Sequence, residues 1–146
     1  MNTHSMKEYM FEQYRHDPHE TPSTRAVAWA AGLFEGEGCV SIETRPRLSG
    51  RRPVYLQVGS TDLDVLEALQ YVLGCGNIRI HRDNSAQCRR QGYLWQTARY
   101  VDVLRILNLL RPYMGTRRGQ KFDEAIAELE KNPAHEGMVE AWSIRV

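Results

Sequence analysis

Arg25-Ala-Val-Ala-Trp-Ala-Ala-Gly-Leu-Phe-Glu-Gly-Glu-Gly-Cys-Val40 is the stretch on which the fold turns. Its first part reads as a helix. Ala26, Val27, Trp29, Ala30, Leu33 and Phe34 are helix-compatible and largely apolar. Pro22, Ser23 and Thr24 offer an entry, with Ser23 or Thr24 as the N-cap. The helix is expected over about Thr24 to Glu35. Its end carries two acids, Glu35 and Glu37, between Gly32, Gly36 and Gly38. Acids at a helix C-terminus oppose the macrodipole, and a glycine inside a helix costs about 1 kcal/mol relative to alanine. A chain that accepts both in one turn gains something in return. Gly32-x-x-x-Gly36 makes a flat helix face on which a second helix can lie closely, and Gly36 or Gly38 can take a left-handed cap conformation.

Downstream, the pattern switches to period two. Val40 and Ile42 alternate with Ser41, Glu43 and Arg45; Val54, Leu56 and Val58 alternate with Tyr55, Gln57 and Gly59. One apolar face per strand means a half-buried antiparallel sheet. The loop between them, Pro46 to Pro53, is basic. Ser60-Thr61-Asp62 caps a second helix, Leu63 to Leu73, which Gly74-Cys75-Gly76 ends. A strand around Ile78 and Ile80, a polar loop from Arg82 to Gly92 and a strand from Tyr93 to Arg99 follow. A helix over about Val101 to Leu110 stops at Pro112, and a last helix spans Arg117 to Lys131. The order helix, hairpin, helix, hairpin, helix, helix predicts an α+β domain with a four-stranded antiparallel sheet and helices on one face.

The 146 residues form one domain of ordinary composition, 42% hydrophobic and 25% charged. Residues 1–23 read as a polar arm, 24–132 as the domain and 133–146 as a tail; Lys7 to Tyr14 is expected as a short helix. No apolar run has the length of a membrane span and no signal-peptide core opens the chain, so an intracellular protein with no membrane partner is expected. Three scattered cysteines argue against a disulfide framework, and there is no Cys-x-x-Cys pair for zinc. His16-x-x-His19 is at most half a metal site. Net charge is only +1, but residues 39–100 hold nine arginines, no lysine and five acids. Arginine suits phosphates and guanine edges.

Ala30-Ala31-Gly32-Leu33-Phe34-Glu35-Gly36-Glu37-Gly38 resembles the nine-residue signature of the LAGLIDADG homing endonucleases. Both glycines match, both acidic positions hold Glu rather than Asp, and the first position is Ala rather than Leu. The resemblance extends over about Arg25 to Lys131: the element order is that of the family's αββαββα core. The Leu73-Gly74-Cys75-Gly76-Asn77-Ile78 turn, Trp95, and Pro112-Tyr113-Met114 before Arg117 agree with it. The resemblance implies a site-specific double-strand DNA endonuclease cutting a long pseudo-palindromic target. One motif rather than two implies a homodimer, its motif helices packed through Trp29, Gly32, Leu33 and Gly36.

The same resemblance assigns roles. Glu37, with Gly36 beside it, would hold Mg²⁺, with Mn²⁺ as a substitute; Glu35 would be structural. Arg117 would stabilise charge at the phosphate, and it cannot act as a base because it stays protonated. Ser60 would touch active-site water. The polar sheet face would read DNA through Ser41, Glu43, Arg45, Arg47, Tyr55, Gln57, Arg79, His81 and Gln96, alongside outward Leu94 and Ala98 and inward Trp95. Arg51 and Arg52 in the loop would meet phosphates, which position without specifying. The competing reading is a non-cutting nucleic-acid binder on the same scaffold, either an intron maturase with RNA as its partner or a transcriptional regulator. Retention of both acids favours the nuclease. A structural dimer without nucleic acid fits the arginine-lined face poorly.

Overall fold

The computed structural model describes residues 23–47, 50–81 and 90–131. The arm, the tail, the His16/His19 pair and most of the second hairpin loop lie outside the described residues. Helix α1 spans Thr24–Glu37, strands β1 and β2 Gly38–Ile42 and Val54–Ser60, and helix α2 Leu63–Leu73. Strands β3 and β4 span Asn77–Ile80 and Tyr93–Thr97, and helix α3 Tyr100–Leu110. A 3-10 turn over Arg111–Tyr113 leads into helix α4, Thr116–Glu130. The expected α+β architecture is the one formed.

Ser23 is the N-cap of α1: its Oγ accepts the Ala26 N–H at 3.2 Å. Ala26, Val27, Ala30, Ala31 and Phe34 face the core. The helix runs two residues beyond Glu35, so both acids belong to it, and neither Gly36 nor Gly38 takes the left-handed cap. Gly38 leaves in an extended conformation (φ −78°, ψ 157°) and donates its N–H to the Phe34 carbonyl. Strand β1 begins at once, and the glycine is needed for space. A Cβ there would lie 2.5 Å from both the Phe34 ring and the Phe34 carbonyl oxygen.

The sheet order is β1-β2-β4-β3, every pair antiparallel. The register pairs Val40 with Leu56 and Leu56 with Thr97; Val58 and Ile78 both pair with Trp95. These residues form the inner face, on which the helices pack. Trp95 is fully buried, and its Nε1–H donates to the Cys75 carbonyl at 3.0 Å. That contact explains the Gly-Cys-Gly turn. Gly74 closes α2 in the left-handed conformation (φ 71°). Gly76 (φ 94°) passes so close to the indole that a Cβ would sit 2.2 Å from its nitrogen. Strand β4 ends at Thr97, two residues short of expectation, because α3 already starts at Tyr100.

Helix α4 closes the core beneath α1. Phe122 meets Phe34 edge-to-face at 5.6 Å between centroids, and the Tyr100 hydroxyl donates to the Leu129 carbonyl at 2.9 Å.

Candidate active site and nucleic-acid interface

The end of α1 places two carboxylates in different surroundings. Glu35 Oε2 accepts the Gly115 N–H at 3.2 Å, just before α4, and lies 4.0 Å from Arg118 Nε. It joins two elements, as expected of a structural acid. Glu37 is exposed and has no hydrogen-bond or ion-pair partner among the described residues. The helix end adds backbone carbonyls that have no partner within the helix. Carboxylate and carbonyl oxygens are hard donors, suited to Mg²⁺ or Ca²⁺ rather than to a soft metal. Among the described residues no three His, Cys, Asp or Glu side chains cluster to hold an ion. One carboxylate completed by water and substrate phosphate is nevertheless a common way to bind Mg²⁺. The residues therefore fit the ion only together with nucleic acid.

Arg117 stands exposed in the first turn of α4, also without a partner among the described residues. Its neighbour Arg118 turns the other way. The Arg118 Nη1–H donates to the Gly38 carbonyl, and the guanidinium lies 5.9 Å from the centre of the Phe34 ring. Sequence spacing from Pro112 pointed to Arg117 rather than Arg118; only the fold brings the Gly38 carbonyl within its reach. Half-buried Ser60 ends β2, where its Oγ accepts the Asp62 N–H at 3.0 Å. The expected cap of α2 is thus divided. Asp62 occupies the N-cap without a side-chain cap hydrogen bond, and Ser60 holds the turn.

Period two puts the remaining strand positions on the outer face. Two rows cross all or most of the sheet: Cys39, Gln57, Gln96 and Asn77 in one, and Gly59, Leu94 and Arg79 in the other. Ser41 stands opposite Tyr55. Gln57, Gln96, Arg79, Ser41 and Tyr55 thus share a face, as the alternation implied, and Cys39 and Asn77 join them without having been singled out. Leu94 lies on that face but is buried, beside Gly59 and Arg79 in register. Beyond β1, Glu43 accepts the Tyr55 hydroxyl proton, while Arg45 and Arg47 are exposed; His81 is exposed just past β3. At the β3–β4 end an open depression of about 480 Å³ is lined by Asn77, Arg79, Gln96, Arg99 and Asp102, among others.

The loop arginines Arg51 and Arg52 both make contacts within the chain. The Arg51 guanidinium stacks over the Tyr100 ring at 4.4 Å. Arg52 donates to buried Glu128 from its guanidinium at 2.7 Å and from its backbone N–H at 3.4 Å. Both side chains engage the helical layer, Arg51 at the Tyr100 ring and Arg52 at Glu128. Two residues ahead of inward Val54, Arg52 follows the strand's inner parity. Its hydrogen bond, reinforced by Lys131 at 3.1 Å, draws the Glu128 carboxyl down to about 2, against an ordinary 4.5. A depressed folded-state pKa contributes stability that is full above the unfolded value and lost as pH falls from about 4.5 through about 2. Arg52→Ala should therefore lower the melting temperature by about 5 °C at pH 7, and the deficit should shrink at pH 3. Thermal melts at the two pH values check both; an equal deficit at both would leave Glu128 out of the account.

On α1, Ala28, Gly32 and Gly36 are exposed and Trp29 and Leu33 half-buried. A Cβ added at Gly32 or Gly36 would meet nothing within 4 Å.

No protein-family model matches the sequence, and no curated protein does. The likeness is in three dimensions. The fold is that of the LAGLIDADG homing endonucleases. The homing endonuclease I-CvuI, in complex with its target in the presence of Ca, is 22% identical, with TM-score 0.60 over 73% of this chain and 67% of that one. I-TnaI, another homing endonuclease, is 19% identical, with TM-score 0.58 over 72% of this chain and 74% of that one. The LAGLIDADG meganuclease I-CpaMI bound to uncleaved DNA is 19% identical, with TM-score 0.55 over 72% of this chain and 38% of that one.

Proposed function

We propose that the chain is a site-specific double-strand DNA endonuclease of the homing type, acting as a homodimer on a long pseudo-palindromic target inside the cell. The observation that carries this reading is Glu37. It is an exposed carboxylate, unpartnered among the described residues, on an acid-bearing helix end, where α1 turns into a strand of the polar sheet face. A DNA-binding protein without chemistry has no use for a bare negative charge beside phosphate. The solved structures of I-CvuI hold its own target with Ca and the I-CreI target, uncleaved, with Mg, and divalent-ion use comes to this chain as part of the proposal.

Glu37, with the Gly36 carbonyl, would hold Mg²⁺, or Mn²⁺ in its place. Bound there, the ion would activate water and neutralise charge at the scissile phosphate. Arg117, permanently charged, would face the developing negative charge from the first turn of α4. Ser60 uses its oxygen as an acceptor for the Asp62 N–H and keeps its hydroxyl proton for a water or phosphate oxygen. Gln57, Gln96 and Arg79 would read base edges, Arg79 suiting guanine and the amides adenine. Incubation with a library of long duplexes and Mg²⁺, followed by sequencing of the ends, tests the reading directly. Specific binding without cutting in Mg²⁺ or Mn²⁺ would install the non-cutting binder instead.

Arg79 provides a test of the interface. Its side chain is exposed and unpartnered among the described residues, next to the depression at the β3–β4 end. Arg79→Ala should cost about 1–3 kcal/mol at one base pair and relax the preference there. Binding-site selection would detect this, and an unchanged preference would remove β3 from the reading surface.

A further inference from the structure

We propose that Arg118 is a positioning residue that fixes the metal-binding carboxylate of Glu37 by clamping the chain on both sides of it. The inference rests on the endonuclease reading above. Its ground is the short path of chain from Glu35 to Gly38. At one end, Glu35 Oε2 accepts the Gly115 N–H at 3.2 Å and lies 4.0 Å from Arg118 Nε. At the other end, the Gly38 carbonyl accepts from Arg118 Nη1. Only Gly36 and Glu37 lie between the two anchors. One guanidinium thus spans the residues that flank the functional pair.

Arg118 is itself held. Its side chain is 14% exposed and stacks toward the Phe34 ring. Its buried Nε has no hydrogen-bond partner, so the Glu35 carboxylate supplies the charge that this nitrogen faces. The base of α4 is tight as well, since a Cβ at Gly115 would stand 3.3 Å from Glu35 Oε1. A planar fork with fixed donor directions can hold a carbonyl and face a carboxylate at once; a lysine, with one rotating ammonium, holds less well. Arg117, next in sequence, stays exposed. Two consecutive arginines therefore divide the work, one toward the substrate and one toward the backbone that carries the ion-binding carboxylate.

A group that orients a metal ligand without touching the metal characteristically alters metal affinity by about 10–100-fold. The test uses the full-length protein bound to the duplex recovered by end-sequencing. Mn²⁺ binding is followed by electron paramagnetic resonance, cleavage is followed against Mg²⁺ concentration, and thermal melts run in parallel. In Arg118→Met the half-saturating Mn²⁺ concentration should rise about tenfold, the cleavage rate should recover as Mg²⁺ is raised, and DNA affinity should hold. Arg118→Lys should fall between Met and wild type. Wild-type metal saturation in Arg118→Met would overturn the proposal. So would a lower melting temperature and lower saturating rate with no shift in half-saturation, the mark of a merely structural residue. If Arg118→Met does not fold, Arg118→Lys decides alone: a shifted half-saturation supports the clamp, an unshifted one overturns it. A wild-type complex that neither cuts nor binds Mn²⁺ beyond the DNA alone would instead remove the endonuclease reading, and the clamp with it.

Discussion

Glu37→Gln should lose more than about 100-fold in cleavage while keeping nearly all of its DNA affinity. Removing a group that merely orients a metal ligand costs about 10–100-fold, and here the proposed ligand itself is changed. The amide nearly matches the carboxylate in size, so the end of α1 should keep its shape. Glu37 makes no contact among the described residues that the change would break. Binding should hold because its expected sources, Gln57, Gln96 and Arg79, stand on the sheet and are untouched; one negative charge fewer beside phosphate could only help. Glu35→Gln makes the comparison sharp. Glu35 is tied to Gly115 and faces Arg118, so this change should lower the melting temperature and leave a substantial cleavage rate. A cleavage assay and a gel shift on one duplex separate the two roles. Wild-type cutting by Glu37→Gln would place the active site elsewhere.

The contrast between these two acids marks how far sequence alone carries. The nine residues from Ala30 to Gly38 are legible locally as a helix end that carries two acids and leads into a strand. The alternation from Val40 to Val58 likewise dictated which side chains share a face, because strand parity is fixed once one buried residue is known. Contacts between distant segments were not legible. Arg118 meets Gly38 across eighty residues, and Arg52 meets Glu128 across seventy-six. Nothing nearby in sequence names either partner. Arg117 and Arg118 are adjacent and chemically identical, and only the helix phase of α4 separates the exposed one from the half-buried one. The left-handed cap expected at the end of α1 failed for a related reason. Gly38 serves the Phe34 ring, a packing demand that local turn chemistry does not express.

Gly32→Leu should have opposite effects on the isolated fold and on its assembly. Within one chain the position is open, with nothing within 4 Å of an added Cβ. Leucine is a far better helix former than glycine, so the variant monomer should gain up to about 1 kcal/mol in α1. In a dimer paired through this face, the same side chain would stand where the partner helix must approach. Small residues at Ala28, Gly32 and Gly36 would let the backbones come close, with Trp29 and Leu33 flanking them. A leucine there would force the helices apart by more than its own helix preference returns, and overpacking of a tight contact costs about 1–3 kcal/mol or more per site. The site would appear twice in a symmetric dimer. The expected result is a variant with an unchanged or raised melting temperature that sediments as a monomer at micromolar concentration and neither binds tightly nor cuts. On the proposed function, separated helices would also pull apart the two Glu37 carboxylates, each assigned to one strand. A wild-type chain that sediments as a monomer, or a Gly32→Leu variant that still forms the dimer, would show that this face of α1 is not where two copies meet.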